Sequence, residues 1–243
     1  MTSTITAEQV DKVMPNGRWD FDGEVTDVFD NMLTRSIPGY DYMRDLTYQL
    51  ALKHAQRKTA IVDLGCSRGG AMAQLVDRLG VQNQFVGVEI SPPMLAAARE
   101  RFAGLIRAGV VDIRAMDLRT DYPQVHASVT LCVLTLQFTP IEYRLQILQN
   151  IYDHTVEGGA LILVEKVIGA TAGLDANFVE LYYDTKRANG YTEDQIQRKR
   201  LSLEGVLVPL PARMNEEMLT MVGFKKVDCF WRVLNFAGWI AVK

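Results

Sequence analysis

The amino-acid sequence predicts an α/β fold: a mostly parallel sheet of about seven strands, with helices on its faces and an antiparallel pair at the end of the chain. Three observations predict it. From about residue 60, short apolar runs alternate with amphipathic segments, the pattern that builds a parallel sheet. A glycine-rich turn follows the first of these runs. The last two strand-like runs are separated by too few residues for a crossover, so they pair antiparallel.

In chain order, residues 1–58 stand outside the alternation and form an N-terminal cap. Residues 59–64 read as the first strand and 69–79 as a helix. Residues 85–89 are the second strand, after which Ser91 caps a helix and Pro92 sits just inside it. Three further strands fall at 110–115, 128–133 and 160–164, with a helix over 141–152 before the last. Gly158-Gly159 reads as a break between that helix and its strand. Residues 169–211 read as a helical insert without strand signals. Within it, Leu174, Phe178, Leu181, Thr185 and Ala188 recur at helical spacing, and Thr192 begins a second helix carrying Ile196, Leu203 and Leu207. A helix over 215–222 and strands over 227–233 and 236–242 close the chain. A single domain is expected, its core made by residues 59–168 and 212–243.

The 243 residues, 48% hydrophobic and 23% charged, suffice for one large core. A net charge of -3 gives no global attraction to nucleic acid or an anionic membrane. Residues 1–13 are polar and read as neither signal peptide nor anchor, and no apolar run reaches spanning length, so a cytoplasmic protein without a membrane partner is expected. Cys66, Cys132 and Cys229 are odd in number and widely spaced, which suits reduced thiols. His54, His126 and His154 lack ligand spacing, and no metal is assigned.

The chemistry concentrates at the ends of the predicted strands. Asp63, Leu64, Gly65, Cys66, Ser67, Arg68 and Gly69 lie where the first strand gives way to a helix. Small residues there let the backbone approach a ligand that helix N–H groups face. An acidic residue followed by Gly65, Ser67 and Gly69 departs from the dinucleotide fingerprint and favours S-adenosylmethionine over a nicotinamide cofactor. Glu89 ends the second strand, where a carboxylate can accept both ribose hydroxyls. Asp117, just past the third, is placed to meet the adenine amino group. Arg200 shares the apolar stripe of Ile196, Leu203 and Leu207, which a solvated arginine avoids; Arg198 points to the opposite side and Lys199 to the stripe's edge.

These strand ends and the closing antiparallel pair resemble the Rossmann-like class I S-adenosylmethionine-dependent methyltransferase superfamily. Trp19-Asp20-Phe21, Arg35-Ser36-Ile37-Pro38-Gly39-Tyr40, Asp63-Leu64-Gly65-Cys66-Ser67, Thr135-Leu136-Gln137-Phe138, Glu165-Lys166, Lys186-Arg187-Ala188-Asn189-Gly190-Tyr191 and Lys199-Arg200 resemble, more narrowly, the carboxy-S-adenosyl-L-methionine synthase family. The resemblance implies transfer of a carboxyl group from prephenate to the activated methyl of S-adenosylmethionine, giving carboxy-S-adenosylmethionine for tRNA wobble-uridine modification, and phenylpyruvate. It also implies a homodimer. It places Tyr40, Gly65, Cys66, Ser67, Glu89, Ile90, Asp117, Leu118, Val133 and Arg200 around the ligand. Tyr40 and Arg200 recognise the carboxylate, the latter as a bidentate anchor. Where the family has an asparagine after the acidic residue, this chain has Ile90; Val133 replaces a second asparagine, and Tyr182-Tyr183 replace paired histidines.

Two other functions compete. Methyl transfer to a small molecule would use the same pocket, with Tyr182, Tyr183 or Glu165 orienting or deprotonating the acceptor, although Glu165 reads more readily as a structural ion pair with a nearby lysine or arginine. A non-catalytic ligand- or tRNA-binding module would rest on Arg198-Lys199-Arg200 alone; charge runs are usually solvated faces, and no stacking aromatics interleave with this one.

Overall fold

The computed structural model describes residues 10–243; most of the polar segment read at 1–13 lies outside them. Three helices, α1 (Gly23–Asp27), α2 (Phe29–Ser36) and α3 (Tyr40–His54), precede β1 (Ala60–Leu64). Then follow α4 (Gly70–Leu79), β2 (Gln84–Glu89), α5 (Pro92–Arg101), α6 (Ala103–Arg107), β3 (Val111–Ala115), β4 (Ala127–Val133), α7 (Ile141–His154) and β5 (Thr155–Ile168). The remainder is α8 (Ala172–Ala188), α9 (Glu193–Ser202), β6 (Leu210–Pro211), α10 (Ala212–Met221), β7 (Lys226–Val233) and β8 (Phe236–Val242).

The sheet runs β3-β2-β1-β4-β5-β8-β7, with β6 beside β5 off this path. Strands β1 to β5 are parallel, and β8 is antiparallel to both β5 and β7. The strand order reverses between β1 and β4, so their carboxyl ends open a crevice at the topological switch point. Every residue of β1 is buried, as a central parallel strand covered on both faces requires. Alternate β1 residues feed opposite layers. Val62 and Leu64 pack with Leu148, Ile151, Leu219 and Trp239; Ile61 packs with Met72, Leu75 and Leu95. Ser91 caps α5 by accepting the Met94 N–H, and Thr192 and Gln195 close a reciprocal capping box on α9.

Three elements depart from the sequence reading. Gly158-Gly159 is no break: β5 begins at Thr155, directly after α7. Ala127 pairs with Thr155 and Val129 with Ala160, so the glycines form a bulge, with Gly158 at φ 73° and Gly159 lying where a Cβ would stand 2.9 Å from the Ser128 carbonyl. The insert also holds a strand, since Leu210 and Pro211 pair with Val167 and Ile168. A two-residue strand ending in proline leaves no periodic trace. Finally, α8 buries a stripe one residue beyond the apolar one. Tyr182 and Lys186 are inside, whereas Leu174 and Leu181 are 45% and 51% exposed. Tyr182 turns the helix this way by packing edge-on against Phe236, with ring centroids 5.6 Å apart, in a cluster with Ile37, Met43 and Trp231.

Candidate active site

A cavity of about 350 Å³ opens at the carboxyl ends of β1, β2 and β4, roofed by residues of α2, α3, α8 and α9. Its floor is the turn after β1. Gly65 and Gly69 sit at φ 70° and 76°, and the Gly65 and Cys66 N–H groups donate to the Val88 carbonyl at 2.8 and 2.9 Å. A Cβ on Gly65 would lie 2.4 Å from the Thr135 hydroxyl, which itself donates to the Leu64 carbonyl at 2.8 Å. The turn is thus clamped between β2 and the loop after β4, and α4 presents its N-terminus to the cavity.

Glu89 is held by three backbone amides. One carboxylate oxygen accepts from Ser67 at 2.9 Å; the other accepts from Ile90 and Ser91 at 2.8 and 2.9 Å. A carboxylate has about four acceptor positions, so one remains for a ribose hydroxyl. Ile90 lies 59% exposed at the rim, and Met116 and Leu118 form an apolar wall. Asp117 lines the same wall with its carboxylate engaged by Arg119, whose hydrogen bonds hold it below the usual range. An adenine amino group would share or displace that contact.

Asp63 is 1% exposed, lines the cavity, and has one carboxylate oxygen with no partner. Burial raises its pKa to about 7, against the opposing pull of Arg44. Arg44 reaches the cavity from α3, donating to the Gly70 carbonyl at 2.8 Å and lying 6.0 Å from the Tyr40 ring centroid. Burial also raises the Tyr40 phenol, keeping it a neutral donor. An orphaned carboxylate beside a guanidinium with free donors suits an amino-acid tail, ammonium toward Asp63 and carboxylate toward Arg44. These residues therefore fit S-adenosylmethionine.

The cavity thus gathers Tyr40, Asp63, Gly65, Cys66, Ser67, Glu89, Ile90, Asp117, Leu118 and Val133, all singled out in the sequence. Arg200 is the exception. It is exposed and donates to Gln197 at 3.1 Å, on the outside of α9 and away from its own chain's cavity. The inner face of α9 is Ile196, Lys199 and Ser202, pressed onto the N-terminal segment by a Trp19 N–H bond to the Ser202 carbonyl. One residue further on, a side chain turns about 100° away. Lys199 takes the inner position, paired with buried Asp11, which also accepts the Tyr191 hydroxyl. Arg198 pairs with Asp194 on the surface.

Glu165 takes neither role read for it. It is buried away from the cavity and makes no ion pair among the described residues; instead it accepts the Leu136 N–H at 3.0 Å, fixing the loop after β4. Burial raises its pKa to about 8. Tyr182 lines the cavity and Tyr183 does not. Sequence reasoning missed Arg44, Lys166 and Lys186 as cavity residues, and Asp11 as the partner of Lys199. Two had a signal: Arg44 follows Tyr40, and Lys186 follows Tyr182, by one helical turn.

The family described as a methyltransferase domain matches residues 61–159. The carboxy-S-adenosyl-L-methionine synthase of Methylococcus capsulatus is 41% identical over 224 residues, covering 92% of this chain and 93% of that protein. That of Wolinella succinogenes is 38% identical over 228 residues, covering 93% and 94%. Among solved structures, an O-methyltransferase family protein from Burkholderia thailandensis superposes with a TM-score of 0.64 at 17% identity, over 91% of this chain and 60% of its own. Human N-acetylserotonin methyltransferase gives 0.58 at 15% identity, over 91% and 56%. This chain spans less than two thirds of either structure, and at such identity both speak for the fold alone. With relatives this similar across nearly its whole length, the chain belongs to the carboxy-S-adenosyl-L-methionine synthase family.

Proposed function

We propose that this protein, acting as one S-adenosylmethionine-binding domain, converts S-adenosylmethionine and prephenate into carboxy-S-adenosylmethionine and phenylpyruvate. The bound sulfonium supplies a methyl group whose carbon is electrophilic and whose C–H bonds are acidified. In the overall conversion a carbon–carbon bond of prephenate breaks and one to the methyl carbon forms; the ring hydroxyl leaves with the methyl proton as water. The chain's own residues bind and orient. Glu89 takes the ribose, Asp117 the adenine edge, and Asp63 with Arg44 the amino-acid tail, while the aromatic group of Trp19, Phe21, Phe29 and Phe138 keeps water from the reacting end.

The observation that carries this reading is the charge of the cavity's far end. Lys166, Lys186 and Lys199 line it, with Asp11 as the buried carboxylate among them. An uncharged methyl acceptor gives no use for such a concentration of ammonium groups, two of them buried and Lys166 half-buried; a substrate bearing carboxylates does. The apolar row Leu174 and Leu181 on α8, with Arg200 outward on adjacent α9, supports a homodimer in which Arg200 serves the neighbouring copy. No helix among the described residues is long and apolar enough to cross a membrane. The site is built for small molecules, so the protein would supply tRNA modification, in the cytoplasm, without holding tRNA.

The test is mass spectrometry of the small molecule released on denaturing the purified protein, before and after incubation with S-adenosylmethionine and prephenate. A species heavier than S-adenosylmethionine by one carboxyl group, formed only with prephenate, is expected. Its absence, with S-adenosylhomocysteine accumulating on an added acceptor, would assign the protein to methyl transfer instead.

A further inference from the structure

Tyr182 stands where the family has a histidine, and its ring carries two ammonium groups. Lys166 Nζ lies 4.9 Å and Lys186 Nζ 5.0 Å from its centroid, both within cation–π range. The lysines arrive from different elements. Lys166 follows buried Glu165 on β5, and strand alternation turns it to the opposite side, into the cavity. Lys186 is one turn after Tyr182 on α8 and only 6% exposed, with Tyr191 5.5 Å away on its other side. Among the described residues neither ammonium has a carboxylate partner: Asp11, the acid whose charge bears on Lys186, is committed to Lys199 and Tyr191. Burial lowers the Lys186 pKa to about 8, with Asp11 opposing, so the group stays largely charged near neutrality.

Two like charges on one ring, Lys186 buried and Lys166 half-buried, with Asp11 already paired, are costly to hold together without an anion. A tyrosine ring serves this arrangement better than an imidazole, which would compete for protons and add a third positive charge. We propose that Lys166 and Lys186, assembled on Tyr182, form the subsite that holds the 2-oxo-acid carboxylate which the carboxyl donor keeps through the reaction. This rests on the carboxylating function proposed above. It separates two anion sites: the lysine pair binds the carboxylate that leaves with the product, whereas the transferred carboxylate is left to Tyr40 and Arg200.

Phenylpyruvate is the probe, since it carries the retained carboxylate and lacks the transferred one. Its affinity for the full-length protein is measured by calorimetry, with S-adenosylmethionine affinity as the control for folding. Lys166→Met and Lys186→Met are each expected to weaken phenylpyruvate at least tenfold and to raise KM for prephenate, with S-adenosylmethionine affinity within twofold of wild type. Lys186→Arg, which keeps the charge should the buried methionine impair folding, retains most of the phenylpyruvate affinity.

Unchanged phenylpyruvate affinity in both methionine variants, in a protein that still makes carboxy-S-adenosylmethionine, overturns the subsite and leaves the function standing. Weakened carboxy-S-adenosylmethionine with unchanged phenylpyruvate overturns it too, moving the lysines to the transferred carboxylate. Lysine-dependent phenylpyruvate binding in a protein that never carboxylates S-adenosylmethionine would remove the proposed function while keeping an anion site for 2-oxo acids.

Discussion

The carboxylate of Glu89 accepts the backbone N–H of Ser67 at 2.9 Å, tying the end of β2 to the turn after β1. The residue proposed to hold the ribose therefore also sets the shape of the turn that faces the ligand. Glu89→Gln keeps the size and one acceptor oxygen but places an amide donor against an amide donor. Charged hydrogen bonds of this kind are worth roughly 1.5–3 kcal/mol each, so S-adenosylmethionine affinity should fall at least tenfold by calorimetry. A loss below twofold would show that Glu89 shapes the turn without touching the ligand.

Asp63 gives that affinity a pH dependence. Without ligand its carboxyl holds a proton up to about pH 7, and only the ionised form attracts the α-ammonium of S-adenosylmethionine. An α-amino group loses its own charge at about 7.7–8.0. Binding should therefore tighten from pH 6 to about 7.5 and weaken above it. Asp63→Asn should bind more weakly and lose the rising limb. If the rising limb survives in Asp63→Asn, the ammonium meets another group.

Gly65 offers a stability test of the clamp. Alanine there must adopt φ 70° and place its Cβ 2.4 Å from the Thr135 hydroxyl. The backbone alone costs about 1–3 kcal/mol. In urea denaturation Gly65→Ala should lose at least this much, and adding Thr135→Gly should recover the steric part but not the backbone part. Complete recovery would mean that the turn relaxes to a conformation alanine accepts.

Much of the fold is legible because its strands are short apolar runs bounded by glycines and caps, and a central strand buried on both faces admits little else. The part of the cavity proposed to take S-adenosylmethionine is legible for the same reason: Asp63, Glu89 and Asp117 sit at or just past strand ends that the alternation itself locates. The cationic half is not. Asp11 meets Tyr191 across 180 residues of chain and Lys199 across 188, and no local period announces such contacts. Periodicity also fails on α8, where Leu174 and Leu181 form a regular apolar row that faces outward while Tyr182 and Lys186 face in. Gly158-Gly159 illustrates a different limit, since a chain break and a β-bulge ask for the same residue type.

Glu165 makes the pH dependence of folding testable. It titrates at about 8 in the folded protein, against a reference value of 4.5. Between those values the folded protein keeps a proton that the unfolded chain has released, so this group's contribution to stability falls as pH rises from 4.5 to 8. Glutamine has no proton to lose and can still accept the Leu136 N–H. The stability of Glu165→Gln relative to wild type should therefore rise between pH 5 and pH 8.5. A difference that is flat or falls with pH would mean Glu165 is ionised in the fold, paired with Arg144.

Arg200 points away from its own cavity, which makes its role a question of assembly. If it anchors the carboxylate in the neighbouring copy, Arg200→Ala should lower production of carboxy-S-adenosylmethionine by more than tenfold while leaving S-adenosylmethionine affinity unchanged, since only the product carries the extra anion. Mixing Arg200→Ala with a variant crippled in its own pocket, such as Glu89→Gln, provides the decisive contrast. Refolded together, the two should form mixed dimers in which one intact pocket receives one intact arginine, restoring part of the activity that each lacks alone. Light scattering would establish that dimers are present. Dimers without recovery would confine Arg200 to its own chain's surface and leave Lys199, Lys166 and Lys186 as the cations that meet the substrate.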